Sequence, residues 1–398
     1  MKKRLVLATA VVIDPAIVHP PYLGGSGNAL LKRMTVKTTL AIVLFWILCA
    51  GSATVSRAVC VGASVNSFGA KGDGQTDDTA AIQSAISAAA SAGGGSVVFN
   101  VARYFTTGSF VVPAGVVLCG SIEGPFDVSA VNPALVAVAP TLLITNTSAP
   151  FITLQGLGAG VTDLLFHYPN QVKTTASAPN VYPYTIVAAS PGTKVVRSLV
   201  TNAYNFLDIE SGRVIAQDLF IGAFNIGVNI DHAHDHVTLR NLLHSVYWDI
   251  VESVPFPSPI DAWVLTHGIA LVVNRVDGLE VHDFNVLLRF AGMLLTDSPD
   301  TTQNPRCGYG TGSDIDLDVK NGIIVTASNA PGYEFTNVVV GASLGSGQAV
   351  VQLMAGGSIP PDVLVNGGSE TGSWALGPFP APAAGHLTVV NIIGFNLP

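Results

Sequence analysis

Charge is scarce in this sequence. Of 398 residues only 11% are Asp, Glu, Lys or Arg, while 49% are hydrophobic, and the mean hydropathy is +0.49. A chain so rich in apolar residues is not disordered, and its 41 Gly and 24 Pro exclude a coiled coil. Four cysteines are too few for a disulfide-built scaffold. Long hydrophobic runs are lacking as well. Leu40–Ala50 is the only extended uncharged one, and its 11 residues fall short of the roughly 20 that span a bilayer. The apolar excess therefore belongs to an internal core.

Lys32, Arg33 and Lys37 precede that run, and Gly51-Ser-Ala53 and Ser56-Arg-Ala58 follow it, the charged, apolar and small-residue order of a secretory signal peptide. Asp14, Pro15 and Pro20-Pro21 break up the stretch before it, so translation is expected to start at Met34. Residues 1–58 are read as an upstream segment and signal, with cleavage near Ala58. Residues 59–398 are read as one domain, secreted to an extracellular or periplasmic compartment and not membrane-bound. Without residues 1–58 the chain keeps 11 basic against 25 acidic residues, a formal charge of −14. That balance excludes nucleic acid as a partner and requires a cation or a local basic patch for an anionic substrate. Cys60, Cys119 and Cys307 remain, an odd number that allows one disulfide at most, between a pair the sequence leaves open.

One helix is legible. Gly69, Gly72 and Gly74 permit a tight turn, Asp77 or Asp78 caps the start, and Ile82, Ala85, Ile86 and Ala89 share one face from about Thr79 to Ser91. No second helical pattern of that length follows. Short β-rich runs alternate with Gly, Asn, Pro and Ser turns instead. A small motif recurs among them, an apolar residue, any residue, Asp, Asn or Ser, then another apolar residue. It places Asp163, Ser198, Asp218, Asn241, Asp283 and Asn337 at separations of 35, 20, 23, 42 and 54. A unit of about 21 residues made of strands and turns cannot close its own core but can stack on copies of itself, which predicts a β-solenoid.

The segment Phe68-Gly-Ala-Lys-Gly-Asp-Gly-Gln-Thr-Asp-Asp-Thr-Ala-Ala-Ile-Gln83, with Gly93-Gly-Gly95-Ser-Val-Val-Phe99 and Val112-Pro-Ala-Gly-Val-Val-Leu-Cys-Gly120, resembles the opening of the pectate-lyase-like superfamily. The branch is the one grouped with rhamnogalacturonases, epimerases and phage tailspikes and related to glycoside hydrolase family 28. The resemblance implies an all-β fold, a single right-handed parallel β-helix with a short N-terminal capping helix. It also implies enzymes that bind polysaccharide along a groove outside the coils. Asp73, Asp77 and Asp78 then belong to the turn and cap, and the recurring Asp and Asn to a turn ladder whose side chains bond backbone at the bend.

The candidate chemistry lies in a later ladder, Leu207-Asp-Ile-Glu210, Val228-Asn-Ile-Asp231 and Trp248-Asp-Ile-Val-Glu252. Alternation points Leu207, Ile209, Val228, Ile230, Trp248 and Ile250 inward and Asp208, Glu210, Asn229, Asp231 and Asp249 outward. Strands about 4.8 Å apart make Glu210 and Asp231 neighbours and set Asp208 and Asp249 on either side of Asn229. Glycoside hydrolysis needs two carboxyl groups, about 5 to 5.5 Å apart for retention or roughly 6.5 to 9.5 Å for inversion. Close carboxylates also raise one partner's pKa, as a general acid requires. Asp208, Glu210, Asp231 and Asp249 are therefore the candidate catalytic set. Tyr204, His232, Tyr247, Trp248 and Trp263 are the candidate sugar-binding set. On an extended strand His232, His234 and His236 would share a face, a spacing that can bind zinc, but no Cys or Glu completes a ligand set and no metal is expected.

The expected activity is that of a polysaccharide-cleaving glycoside hydrolase without a cofactor. The polygalacturonase set is missing, since the only Asp-Asp pair lies in the cap and no Gly-His-Gly occurs. A polysaccharide lyase or uronate epimerase is the alternative. In a lyase Ca²⁺ would enter and one of Arg197, Arg213, Arg240 and Arg275 would act as base. A non-catalytic adhesin is the second alternative. Whether the protein is a monomer or a homotrimer is not set by the sequence. Two loops, one at Pro255–Pro259 and one over 298–312, are expected to wall the groove, with Asp261, Trp263 and His267 at its border. His386–Phe395 is read as a terminal strand pair.

Overall fold

The computed structural model describes residues 60–120, 139–173, 175–245, 258–302, 308–327 and 332–341 with their side chains, and 349–353, 362–371 and 386–394 as backbone strands. The signal segment, Cys307, and the Tyr247–Asp249 part of the candidate site lie outside them. No helix among the described residues is long and apolar enough to cross a membrane.

Among the described residues every strand pairing is parallel, each strand with its counterpart one coil later. The register divides a coil into three straight stretches. The first face stacks Gly160–Thr162 on 194–196, 214–217 and 237–240. The second stacks Leu165–His167 on 199–201, 219–221, 242–244 and 284–286. The third stacks Tyr184–Ala188 on 205–209, 226–230, Ile269–Val273, Ala291–Leu295 and Asn321–Val325. This is a right-handed parallel β-helix. On the third face Leu207, Ile209, Val228, Ile230, Leu271, Val273, Met293 and Leu295 fill the interior and are fully buried, as two-residue alternation requires.

Between the first and second faces runs a column of left-handed residues, Asp163, Arg197, Asp218, Asn241, Asp283, Asp314 and Asn337, with φ between 43° and 60°. Asp and Asn tolerate that region better than other non-glycine residues, which is why the motif recurs. Arg197 rather than Ser198 occupies the column, and Asp314 is a further member. The spacing of 42 is one coil enlarged by an excursion over 246–268, and that of 54 is two coils. The side chains bond along the stack rather than to backbone at the bend. Arg197 grips both Asp163 oxygens at 2.7 Å, Asn241 donates to Asp218 at 2.8 Å and Asn337 to Asp314 at 2.6 Å.

The helix Thr79–Ser91 buries Ile82, Ala85, Ile86 and Ala89, as its spacing predicts. Asp77 accepts from the Thr79 N–H at 3.0 Å, whereas Asp78 turns back to the glycine turn, accepting from Lys71 and Gly72 at 2.6 and 3.0 Å. Cys60 and Cys119 form a disulfide that ties the start of the described chain to the first face. At the other end His386–Gly394 is one strand parallel to Asp362–Thr371, not a strand pair.

A second helix, Pro259–His267, was not foreseen. Ser258 and Asp261 close a capping box around Pro259, with Ser258 N–H donating to Asp261 at 2.6 Å, so Asp261 is a buried cap rather than a groove residue. The helix packs outside the coils, Ile260 and Val264 against Phe224 and Leu288.

Candidate active site

Two rows of outward positions cross the third face. In the first, Val187, Asp208, Asn229, Val272, Leu294 and Ile324 stand side by side. One step further, where the chain leaves the face, Glu210, Asp231 and Asn274 follow one another, each N–H bonded to the carbonyl of the preceding coil. Among apolar neighbours these two rows form one polar patch. Asp208 and Glu210 are two residues apart on one strand, and Asp231 lies beside Glu210 on the next, as alternation and stacking predict. Asp249, expected beside Asn229, lies outside the described residues. That place belongs to Val272, because the chain leaves the second face at Ser245 and returns to the third only at Ile269.

The patch is internally bonded. Asn274 donates to the Asn229 side-chain oxygen at 2.7 Å, and Asn229 donates in turn to Asp208 at 2.8 Å. Asp231 accepts from the Ser298 hydroxyl at 2.9 Å and from the His232 N–H at 2.8 Å. His232 Nε2 meets Asp300 at 3.0 Å, and Asp300 also accepts from Thr302. The Thr302 hydroxyl and N–H, with His232 after them, hold the Asp300 carboxyl down to about 2. Ser298 and Asp300 come from the stretch 296–302, which bonds to the patch through Asp231 and His232. The second predicted loop thus ends at Gly308, where the next strand begins.

Asp208 is 9% exposed and its pKa is pushed up to about 6. Burial is the main cause. The hydrogen bond from Asn229 opposes it, and the nearby Glu210 and Asp231 charges add to it. A carboxylic acid in that range can hold a proton near neutral pH and pass it on. Tyr184, at the start of the third-face strand one coil earlier, is raised by burial and by the same Asp208 and Glu210 charges. Nothing in its local sequence marks it out.

Tyr204 and Trp263 meet at the opposite end of the same strand, ring centroids 6.1 Å apart, and Trp263 stacks on His267 at 4.3 Å. Four residues separate Tyr204 from Asp208, roughly 13 Å of extended chain. A hollow of about 280 Å³ is lined by Ser211, Gly212, Arg213, His232, His234 and Asp235, with Arg213 donating to Asp235 at 2.6 Å.

The three histidines are not aligned on an extended strand. His232 sits at φ 55°, which breaks the alternation, and its ring goes to Asp300 while His236 pairs with Glu280 at 3.2 Å. Among the described residues the one group of three potential metal ligands in ligating proximity is Cys60, Cys119 and Asp163, and its two sulfurs are joined in the disulfide.

Residues 62–245 match the family model described as rhamnogalacturonase A/epimerase, pectate lyase-like. This stretch is a pectate-lyase-like domain. Alginate lyase 7 of Azotobacter vinelandii is 58% identical over 45 residues, which cover 11% of this chain and 5% of that protein. A mutant tailspike protein of E. coli bacteriophage HK620, in complex with a pentasaccharide, superposes with a TM-score of 0.52 at 10% identity, over 84% of this chain and 67% of that one. The catalytic unit of an α-1,3-glucanase from Streptomyces thermodiastaticus gives 0.46 at 15% identity, over 85% and 69%. The tailspike likeness shows a shared β-helix fold, and the chain spans only a small part of the curated relative it matches.

Proposed function

We propose that the protein is a secreted glycoside hydrolase acting on a plant cell-wall or bacterial extracellular polysaccharide. The observation that carries this reading is the convergence of Asp208, Glu210 and Asp231 on one outer patch, with Asp208 buried and protonated up to about pH 6. Asp208 protonates the glycosidic oxygen. Asp231, oriented by Ser298 and the His232 N–H, serves as the base that draws a proton from water as that water bonds to the anomeric carbon and the protonated glycosidic oxygen leaves, and Glu210 stands beside it. Strand rise and spacing put the backbone of Asp208 roughly 7 Å from that of Glu210 and roughly 8 Å from that of Asp231, so their carboxyl groups can act on one glycosidic bond. Tyr204 and Trp263 offer apolar ring faces to sugars, Tyr247 and Trp248 are proposed to extend that set, and Asp249 stays a candidate acid. The Cys60–Cys119 disulfide, just past Ala58, supports maturation in an oxidising compartment.

The test is incubation of the exported protein with alginate, polygalacturonate and α-1,3-glucan, following reducing ends and ultraviolet absorbance together. Reducing ends without absorbance are expected, along with loss of 10²-fold or more in Asp208→Asn. Absorbance from an unsaturated sugar would replace the hydrolase by a lyase. In that second reading Arg213 and His232, which line the hollow and pair with Asp235 and Asp300 at 2.6 and 3.0 Å, would exchange those partners for a uronate. Binding without cleavage of any polymer would indicate an adhesin.

A further inference from the structure

Arg289 is the largest wholly buried side chain among the described residues. It lies at the corner between Val276–Leu287 and Ala291–Leu295. Its Nη2 donates to the Ala223 carbonyl two coils earlier, and its Nε and Nη1 meet no acceptor among the described residues. His244, buried beside it, is kept neutral by burial and by the Arg289 charge.

The corner explains this reach. In the intervening coil no short turn joins the second face, which ends at Ser245, to the third, which starts at Ile269, and the Arg289 side chain reaches past that level to Ala223. Its neighbours fasten the excursion. Phe290 N–H donates to the Val264 carbonyl at 3.2 Å and Ala291 N–H to Gly268 at 3.1 Å. Leu288, at φ 58°, buries its side chain in the cluster of Phe224, Ile260 and Val264 on which Trp263 packs. A leucine in the left-handed region costs energy that local contacts must offset.

A buried cation without an anion is poor for stability, and an apolar side chain of similar volume would serve the core better. The arginine therefore supplies geometry. We propose that Arg289 is a positioning residue. By tying its corner to a carbonyl two coils away, it fixes the height of the helix Pro259–His267 and holds Trp263 against Tyr204, forming a sugar-stacking platform at the far edge of the carboxylate groove. The proposal rests on the reading of that groove as a polysaccharide site.

Full-length protein labelled with 5-fluorotryptophan tests it without any ligand, the ¹⁹F resonance of Trp263 being identified by its loss in Trp263→Phe. Arg289→Met is expected to keep or raise the thermal midpoint while moving and broadening the Trp263 resonance and leaving the other tryptophans unchanged. Arg289→Lys, which keeps a donor, returns the resonance part-way. On the polysaccharide that is cleaved, Arg289→Met and Tyr204→Ala each raise KM about fivefold with kcat within about twofold of wild type. An unchanged Trp263 resonance in folded Arg289→Met overturns the proposal, and so does a moved resonance with unchanged KM. Should Arg289→Met fail to fold, Arg289→Lys and Leu288→Gly carry the same readouts. If wild type cleaves no polymer, it is the hydrolase reading that fails, and the resonance alone still decides what Arg289 positions.

Discussion

Asp208 sits at the outer end of an alternating strand, where its carboxyl is screened from water yet faces two other acids. Burial raises its pKa from 3.8 to about 6, so between those values the folded protein holds a proton that the unfolded chain releases. Its contribution to stability therefore falls as pH rises from about 4 to 6 and stays unfavourable above. Asp208→Asn is expected to stabilise the protein at pH 7 to 8, by up to about 3 kcal/mol in urea titrations, and to be neutral near pH 4. Activity through this acid should decline as pH rises past about 6, a limb that the Asn variant lacks. Asp208, Glu210 and Asp231 were legible in the sequence because alternation fixes which side chains face out and one repeat length fixes which are neighbours. Tyr184, Asn274, Ser298 and Asp300 were not, since the patch borrows them from other coils and from an excursion whose path no local pattern encodes.

At the scale of elements, the left-handed column decides where each coil bends. Asn241 at φ 51° donates to Asp218, so Asn241→Val removes that bond and forces a β-branched residue into a region it avoids. The expected cost is about 2 to 3 kcal/mol by thermal melts, while Asn241→Gly keeps the backbone and should cost under about half of that. The repeat was visible because its residue types answer a backbone demand. Its register slipped by one at Ser198, because Arg197 answers that demand unusually, by clamping Asp163. The helix Pro259–His267 escaped notice because nine residues give too short a period, although Ser258-Pro-Ile-Asp261 carries its cap.

For the molecule as a whole, a solenoid gains its stability from contacts between adjacent coils, and its ends need closure. The helix Thr79–Ser91 closes one end, and the Cys60–Cys119 disulfide pins the strand beneath it across 59 residues of sequence. The double variant Cys60→Ser with Cys119→Ser is expected to lose about 4 kcal/mol of stability, read as an earlier unfolding transition, with activity at 25 °C retained.

The sequence by itself determined the stacked β-helix, its capping helix, the inward residues of the third face and the outward row of acids. All of these follow from short-range periodicity in a chain with too little charge to leave its strands exposed. Tertiary structure alone decided which cysteines pair, which residue stands beside Asn229, what the histidines touch and where Ser298, Asp300 and the helix Pro259–His267 meet the coils. Those outcomes depend on where an inserted segment rejoins the stack. That point is set by packing between coils tens of residues apart, not by any pattern along the chain.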